Sequence, residues 1–88
     1  MDVQIPEHVT WKKLDNEIVI LDLRNSNYYT LNKTASTIWR EILEKKKAEE
    51  IIAQMLNEFD CDEDTCRADV HEQFKFLLKE GLIDRVDK

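Results

Sequence analysis

The chain predicts an α+β domain, a three-stranded antiparallel sheet followed by three helices. Period-two and β-branched runs are confined to its first third, and apolar stripes with helical spacing occupy the remainder. One Gly and one Pro among 88 residues, with 42% hydrophobic and 36% charged side chains, match a helix-rich globule rather than a disordered or fibrous chain. At this length one domain with a small core is the expected organisation, with residues 1–7 a flexible tail.

Residues 9–14 read as a first strand, with Val9 and Trp11 on one face and Thr10, Lys12 and Leu14 on the other. Asp15 and Asn16 suit a tight turn. Ile18, Val19, Ile20 and Leu21 then form a β-branched-rich run expected to be buried on both faces. After a polar turn in which Asn25 and Asn27 are suited to the left-handed backbone conformation, residues 28–31 supply a third strand with Tyr29 and Leu31 facing inward.

Asn32 is a helix N-cap, and Ala35, Ile38, Trp39, Ile42 and Leu43 keep one apolar stripe that runs to about residue 44. Ile51, Ile52, Met55, Leu56 and Phe59 repeat that spacing in a second helix, although neither Gly nor a Ser/Thr cap marks the boundary at residues 45–48. Asp62 caps a third helix, whose acidic start suits the helix dipole. Its stripe of Cys66, Val70, Phe74, Leu77 and Leu78 continues to Gly81, a natural stop, and residues 82–86 return as a short strand or wing.

A formal net charge of −6 disfavours a nucleic acid partner, whose backbone is bound by neutralising phosphates. The cluster Lys45, Lys46, Lys47 reads as a solvated helix end. No run approaches signal-peptide or membrane-span length, so a cytoplasmic location with no membrane partner is expected. In that reducing setting Cys61 and Cys66 are expected to remain thiols, and they lack the partners of a zinc site.

Catalytic material is scarce. His71-Glu72 has no second histidine four positions on, so it is not a metalloprotease pair. Asp60, Asp62 and Asp64 imitate the start of a calcium loop, but Thr65 and His71 stand where that loop needs Gly and a bidentate Glu. A single Gly excludes a glycine-rich phosphate loop. The expectation is a non-enzyme without metal or cofactor.

Two features point outward. With Val70 as origin of a helical wheel, Phe74, Leu77 and Leu78 lie within about 80°, whereas Phe76 falls about 120° away beside Asp69, Gln73 and Glu80. An aromatic placed there is expected to be covered by a ligand, by the chain's own tail or by a second copy in a homodimer. The third strand also ends the meander, leaving an edge that could accept an extended peptide.

The series Ile18-Val19-Ile20-Leu21-Asp22, Tyr28-Tyr29-Thr30-Leu31-Asn32, and Ala35, Ile38, Trp39 resembles the signature of the PqqD-like family. The resemblance continues through Glu50-Ile51-Ile52, Asp69-Val70, Phe74 to Leu78 and Gly81-Leu82-Ile83. It implies a winged-helix-like precursor-peptide recognition element. Such a module does no chemistry and binds the leader segment of a ribosomally made precursor by strand addition. It presents that precursor to a modifying enzyme, either a radical SAM enzyme, as in pyrroloquinoline quinone biosynthesis, or a leader protease and macrocyclase, as for lasso peptides. By position, the resemblance implies that Asn27, Tyr28, Tyr29, Thr30 and Leu31 pair with the leader while Asp69, Val70, Gln73, Phe76 and Leu77 line the opposite wall.

A winged-helix DNA-binding regulator is the competing reading, since fold alone does not determine function. The acidic start of its third helix opposes that reading, because it would meet phosphates with carboxylates.

Overall fold

Pleat and pairing set the sheet. The computed structural model describes residues 3–15 and 17–86. The elements are β1 (Val3–Gln4), β2 (Val9–Leu14), β3 (Glu17–Asp22), β4 (Asn27–Leu31), α1 (Lys33–Leu43), α2 (Ala48–Glu58), α3 (Glu63–Lys79) and β5 (Asp84–Arg85). Strands β2, β3 and β4 form an antiparallel sheet with β3 in the middle, and β1 pairs with β5 in a separate ribbon. The α+β, winged-helix-like arrangement expected from the sequence is present.

Register places Val9, Trp11, Ile18, Ile20, Asp22, Tyr29 and Leu31 on one sheet face. The helices cover that face, and Ile18, Ile20 and Leu31 join Ile38, Trp39, Ile51, Val70 and Leu77 in a single core. Val19 and Leu21 lie on the other face and are only half-buried. This corrects the expectation that β3 is covered on both sides, because all three helices pack on one face.

The helix ends follow local chemistry. The Asn32 side chain accepts from the Ala35 N–H at 2.9 Å, and Asp62 accepts from Thr65 at 2.7 Å. Both residues cap as the sequence predicts. The boundary without a glycine is a Schellman turn: Lys45 adopts φ 62°, its N–H bonds Ile42 O at 2.9 Å, and Lys46 N–H bonds Glu41 O at 3.2 Å. The Glu50 carboxylate accepts from the Lys47 N–H at 3.0 Å and starts α2.

Three further expectations are corrected. Residues 3 and 4 are not tail but strand, because residues 84 and 85 offer them a backbone partner; Met1 and Asp2 lie outside the described residues, as does Asn16 of the first turn. In the second turn the left-handed residue is Ser26, at φ 62°, rather than Asn25 or Asn27. Cys61 and Cys66 are joined in a disulfide rather than left as thiols, since the turn into α3 brings the partly buried Cys61 against the buried Cys66.

The C-terminal end of α3 is tied to the sheet. Fully buried Asp22 accepts from Arg24 through its main-chain N–H at 3.0 Å, Nε at 3.1 Å and Nη2 at 2.8 Å. Arg24 Nη2 also donates to Glu80 O at 3.3 Å, and His8 Nε2 lies 2.8 Å from Gly81 O. The Arg24 side-chain hydrogen bonds outweigh burial and hold the Asp22 carboxyl at about 2, below its ordinary 3.8.

A depressed folded-state value means Asp22 adds stability above about pH 4, and this is lost as pH falls towards 2. Denaturant unfolding of wild type and Asp22→Asn should therefore show a stability gap at pH 5 to 7 that narrows below pH 4. A gap independent of pH would contradict this assignment.

Gly81 closes a second Schellman turn at φ 73°, with Leu82 N–H on Leu77 O at 2.9 Å. A Cβ there would come within 2.5 Å of Arg24 Nη2. Gly81→Ala should cost about 1 to 2 kcal/mol from the left-handed backbone alone, read as a lowered thermal midpoint.

Candidate functional site

An antiparallel ladder alternates pairs whose backbones face each other with pairs whose backbones face away. Three hydrogen bonds set that phase here. On the β2 side, Leu23 N–H bonds His8 O at 2.7 Å. On the β4 side, the Ser36 hydroxyl accepts from Ile18 N–H at 3.1 Å and donates to Leu31 O at 3.0 Å, bridging one pair at the end of the ladder. Asn27, Tyr29 and Leu31 therefore direct their backbone groups to β3, and Tyr28 and Thr30 direct theirs outward.

Among the described residues no strand pairs with that outer edge, because the C-terminal segment is taken by β1 instead. The opposite edge, β2, carries Lys12 and Lys13, charges that discourage pairing. Strand β4 has no charge and no proline, and the Tyr28 ring is 72% exposed on the solvent face.

Beside this edge lies a groove of about 410 Å³ between the start of α1 and one flank of α3. Ala35 and Ile38 contribute apolar lining, and Asp69, Glu72, Gln73 and Phe76 form the wall across from them. Phe76 is 40% exposed, although its ring meets Tyr29 edge to face, with centroids 5.9 Å apart and planes at 74°. Tyr29 points inward as expected and donates to Glu80 Oε1 at 3.1 Å. Burial pushes its hydroxyl above the ordinary phenol value, so it stays protonated as a donor. Through Tyr29, Phe76 and the Arg24 contacts, the groove walls are held in place before any ligand arrives.

Of the residues singled out from the sequence, Asn27, Tyr28, Tyr29, Thr30 and Leu31 form the edge strand, and Asp69, Gln73 and Phe76 stand on the wall. Val70 and Leu77 do not: both are 0% exposed and belong to the core beneath, so neither presents a surface to a ligand. Residues overlooked in the sequence are Asn32, Thr34, Ala35, Ile38 and Glu72. The α1 stripe marks Ala35 and Ile38 as apolar but cannot show that one side of that stripe borders a groove.

Gln73 Nε2 is buried without a hydrogen-bond partner, a donor at the groove wall. No group of three or more His, Cys, Asp or Glu among the described residues is placed to hold a metal ion. No helix among them is long and apolar enough to cross a membrane. The site's resources are thus backbone hydrogen bonds, an aromatic wall and a few polar side chains.

Comparison with known proteins supports this description. The family model described as coenzyme PQQ synthesis protein D (PqqD) matches residues 17–83. Among solved structures, "TbiB1 in Complex with the TbiA(beta) Leader Peptide" superposes with TM-score 0.89 at 27% identity, covering 97% of this chain and 99% of that chain. "Lasso peptide synthetase B1 complexed with the leader peptide" gives TM-score 0.89 at 19% identity, covering 97% and 100%, and so speaks to the fold. A search of curated proteins finds no significant match.

Proposed function

Because the chain belongs to the PqqD family, we propose that it is a non-catalytic module that binds the leader segment of a ribosomally made precursor peptide by adding it as a strand to β4. The open edge carries this reading: Tyr28 and Thr30 present backbone donors and acceptors beside a preformed groove. Backbone pairing supplies affinity with little sequence demand, and the 40% exposed Phe76 at the groove wall offers contact to an apolar side chain of the leader. TbiB1, similar over nearly its whole length, is bound to a leader peptide.

The bound precursor is presented to a modifying enzyme, a radical SAM enzyme or a leader protease with its macrocyclase. Tethering converts a bimolecular encounter into a local one and raises the effective concentration of the core peptide. Duplex DNA is the poorer partner, because exposed Asp60, Asp62, Glu63 and Asp64 lead into α3.

Calorimetry against the leader of the precursor encoded beside this chain should give a micromolar or tighter dissociation constant, and absence of heat at high concentration would refute the proposal. Phe76→Ala should weaken binding by about 2 kcal/mol, roughly 30-fold, as for a buried aromatic anchor. Its stability cost should combine the ring contact with Tyr29, about 0.5 to 1.5 kcal/mol, with the apolar area that the partly covered ring buries, about 1 kcal/mol, and so leave the domain folded. A collapsed melting temperature with unchanged affinity per folded molecule would make Phe76 a core residue instead.

A further inference from the structure

Helix α3 separates its charges by flank. From Arg67 onward, Asp69, Glu72 and Glu80 share one side with Phe76 and Arg67, His71 and Lys75 lie on the other, with Lys79 between the two, at 100° per residue. The basic flank borders a cavity of about 530 Å³ with Phe74, Leu78 and Arg85. A second cavity of about 730 Å³ is lined by Lys47 and Val86, next in sequence to Ala48 and Arg85 of the first, with Val3, Ile5, Leu43, Lys45 and Lys46 among others.

Among the described residues these cavities collect Lys45, Lys46, Lys47, Arg67, Lys75 and Arg85, and the one acidic side chain lining them is Glu49. Some of that charge is matched internally: Lys46 pairs with Glu41 at 2.8 Å, and Arg67 with Glu49 at 2.8 Å and Glu63 at 3.3 Å. Among the described residues Lys45, Lys75 and Arg85 make no ion pair. A protein of net charge −6 thus carries one basic, partly apolar face.

We infer that this face docks an acidic, partly apolar segment of the peptide-modifying enzyme, on the opposite flank of α3 from the leader groove. The inference rests on the leader-binding reading. Its occupant follows from charge complementarity: cations set around Leu43, Leu78 and Val86 suit carboxylates flanking apolar side chains. Because the leader uses the other flank, enzyme and leader bind together, and the module bridges them without competition.

The test is a titration of the full chain, with and without saturating leader, onto the immobilised modifying enzyme encoded beside it, at low salt and at about 0.5 M salt. Wild type should bind in both cases, with affinity falling as salt rises. Lys45→Glu, Lys75→Glu and Arg85→Glu combined should weaken enzyme binding about 10-fold or more at low salt while leaving leader affinity unchanged. Equal enzyme binding by variant and wild type, or competition by leader, would overturn the inference. So would charge-dependent capture by phosphatidylglycerol vesicles or duplex DNA in place of the enzyme. Failure of wild type to bind leader would instead remove the reading beneath it. Circular dichroism melting confirms that the variant is folded.

Discussion

Thr30→Pro is expected to abolish most leader binding while leaving the domain folded. The Thr30 N–H faces away from β3, so proline there removes no bond from the sheet and is tolerated at an edge. For an added strand the same change removes a donor, strands the ligand carbonyl opposite it, and places the ring where that carbonyl must approach. An unpaired buried acceptor costs about 1 to 3 kcal/mol. With the ring's obstruction the loss should reach about 2 to 4 kcal/mol, roughly 30- to 1,000-fold in dissociation constant.

Tyr29→Pro is the control. Its N–H faces Ile20 of β3, so proline there should cost about 3 kcal/mol of stability and unfold much of the population before binding can be asked about. Calorimetry and thermal melting of both variants separate the two phases of the strand. Wild-type affinity in Thr30→Pro would mean that the leader binds elsewhere.

The second large effect concerns stability. Trp39, 0% exposed, is the largest fully buried side chain, placed in the one core shared by sheet and helices. Trp39→Ala should cost about 3 to 5 kcal/mol, since its neighbours cannot fill the space of an indole. A domain of this size has about 4 to 13 kcal/mol in total, so much of the variant should be unfolded near physiological temperature. The indole Nε1 has no hydrogen-bond partner, so Trp39→Phe keeps an aromatic in place and removes a buried donor that is already unmet. Denaturant unfolding should show Trp39→Phe much closer to wild type than Trp39→Ala, and equal losses would show that Nε1 does have a partner.

Much of the fold is readable from short stretches. Asn32 and Asp62 cap because their side chains reach N–H groups three residues on, and Gly81 ends α3 because only it takes φ 73° freely. The turn after α1 resisted reading because Lys45, not glycine, holds the left-handed position. At the candidate site, β4 and the off-stripe Phe76 were legible from periodicity. So were Asp69 and Gln73 beside it, whereas the α1 side of the groove was not, since Thr34, Ala35 and Ile38 border it only through the way α1 crosses α3.

By itself the sequence determined the order of the three sheet strands and three helices, the inward face of β4 and the caps at Asn32, Asp62 and Gly81, all of which depend on residues within a turn or a pleat of one another. The tertiary structure decided that Val19 and Leu21 are only half covered, that Val70 and Leu77 sink beneath the groove, and that residues 3 and 4 find residues 84 and 85. Periodicity records which side chains share a face. What lies over that face is set by packing between segments far apart in the chain, and no local window contains it.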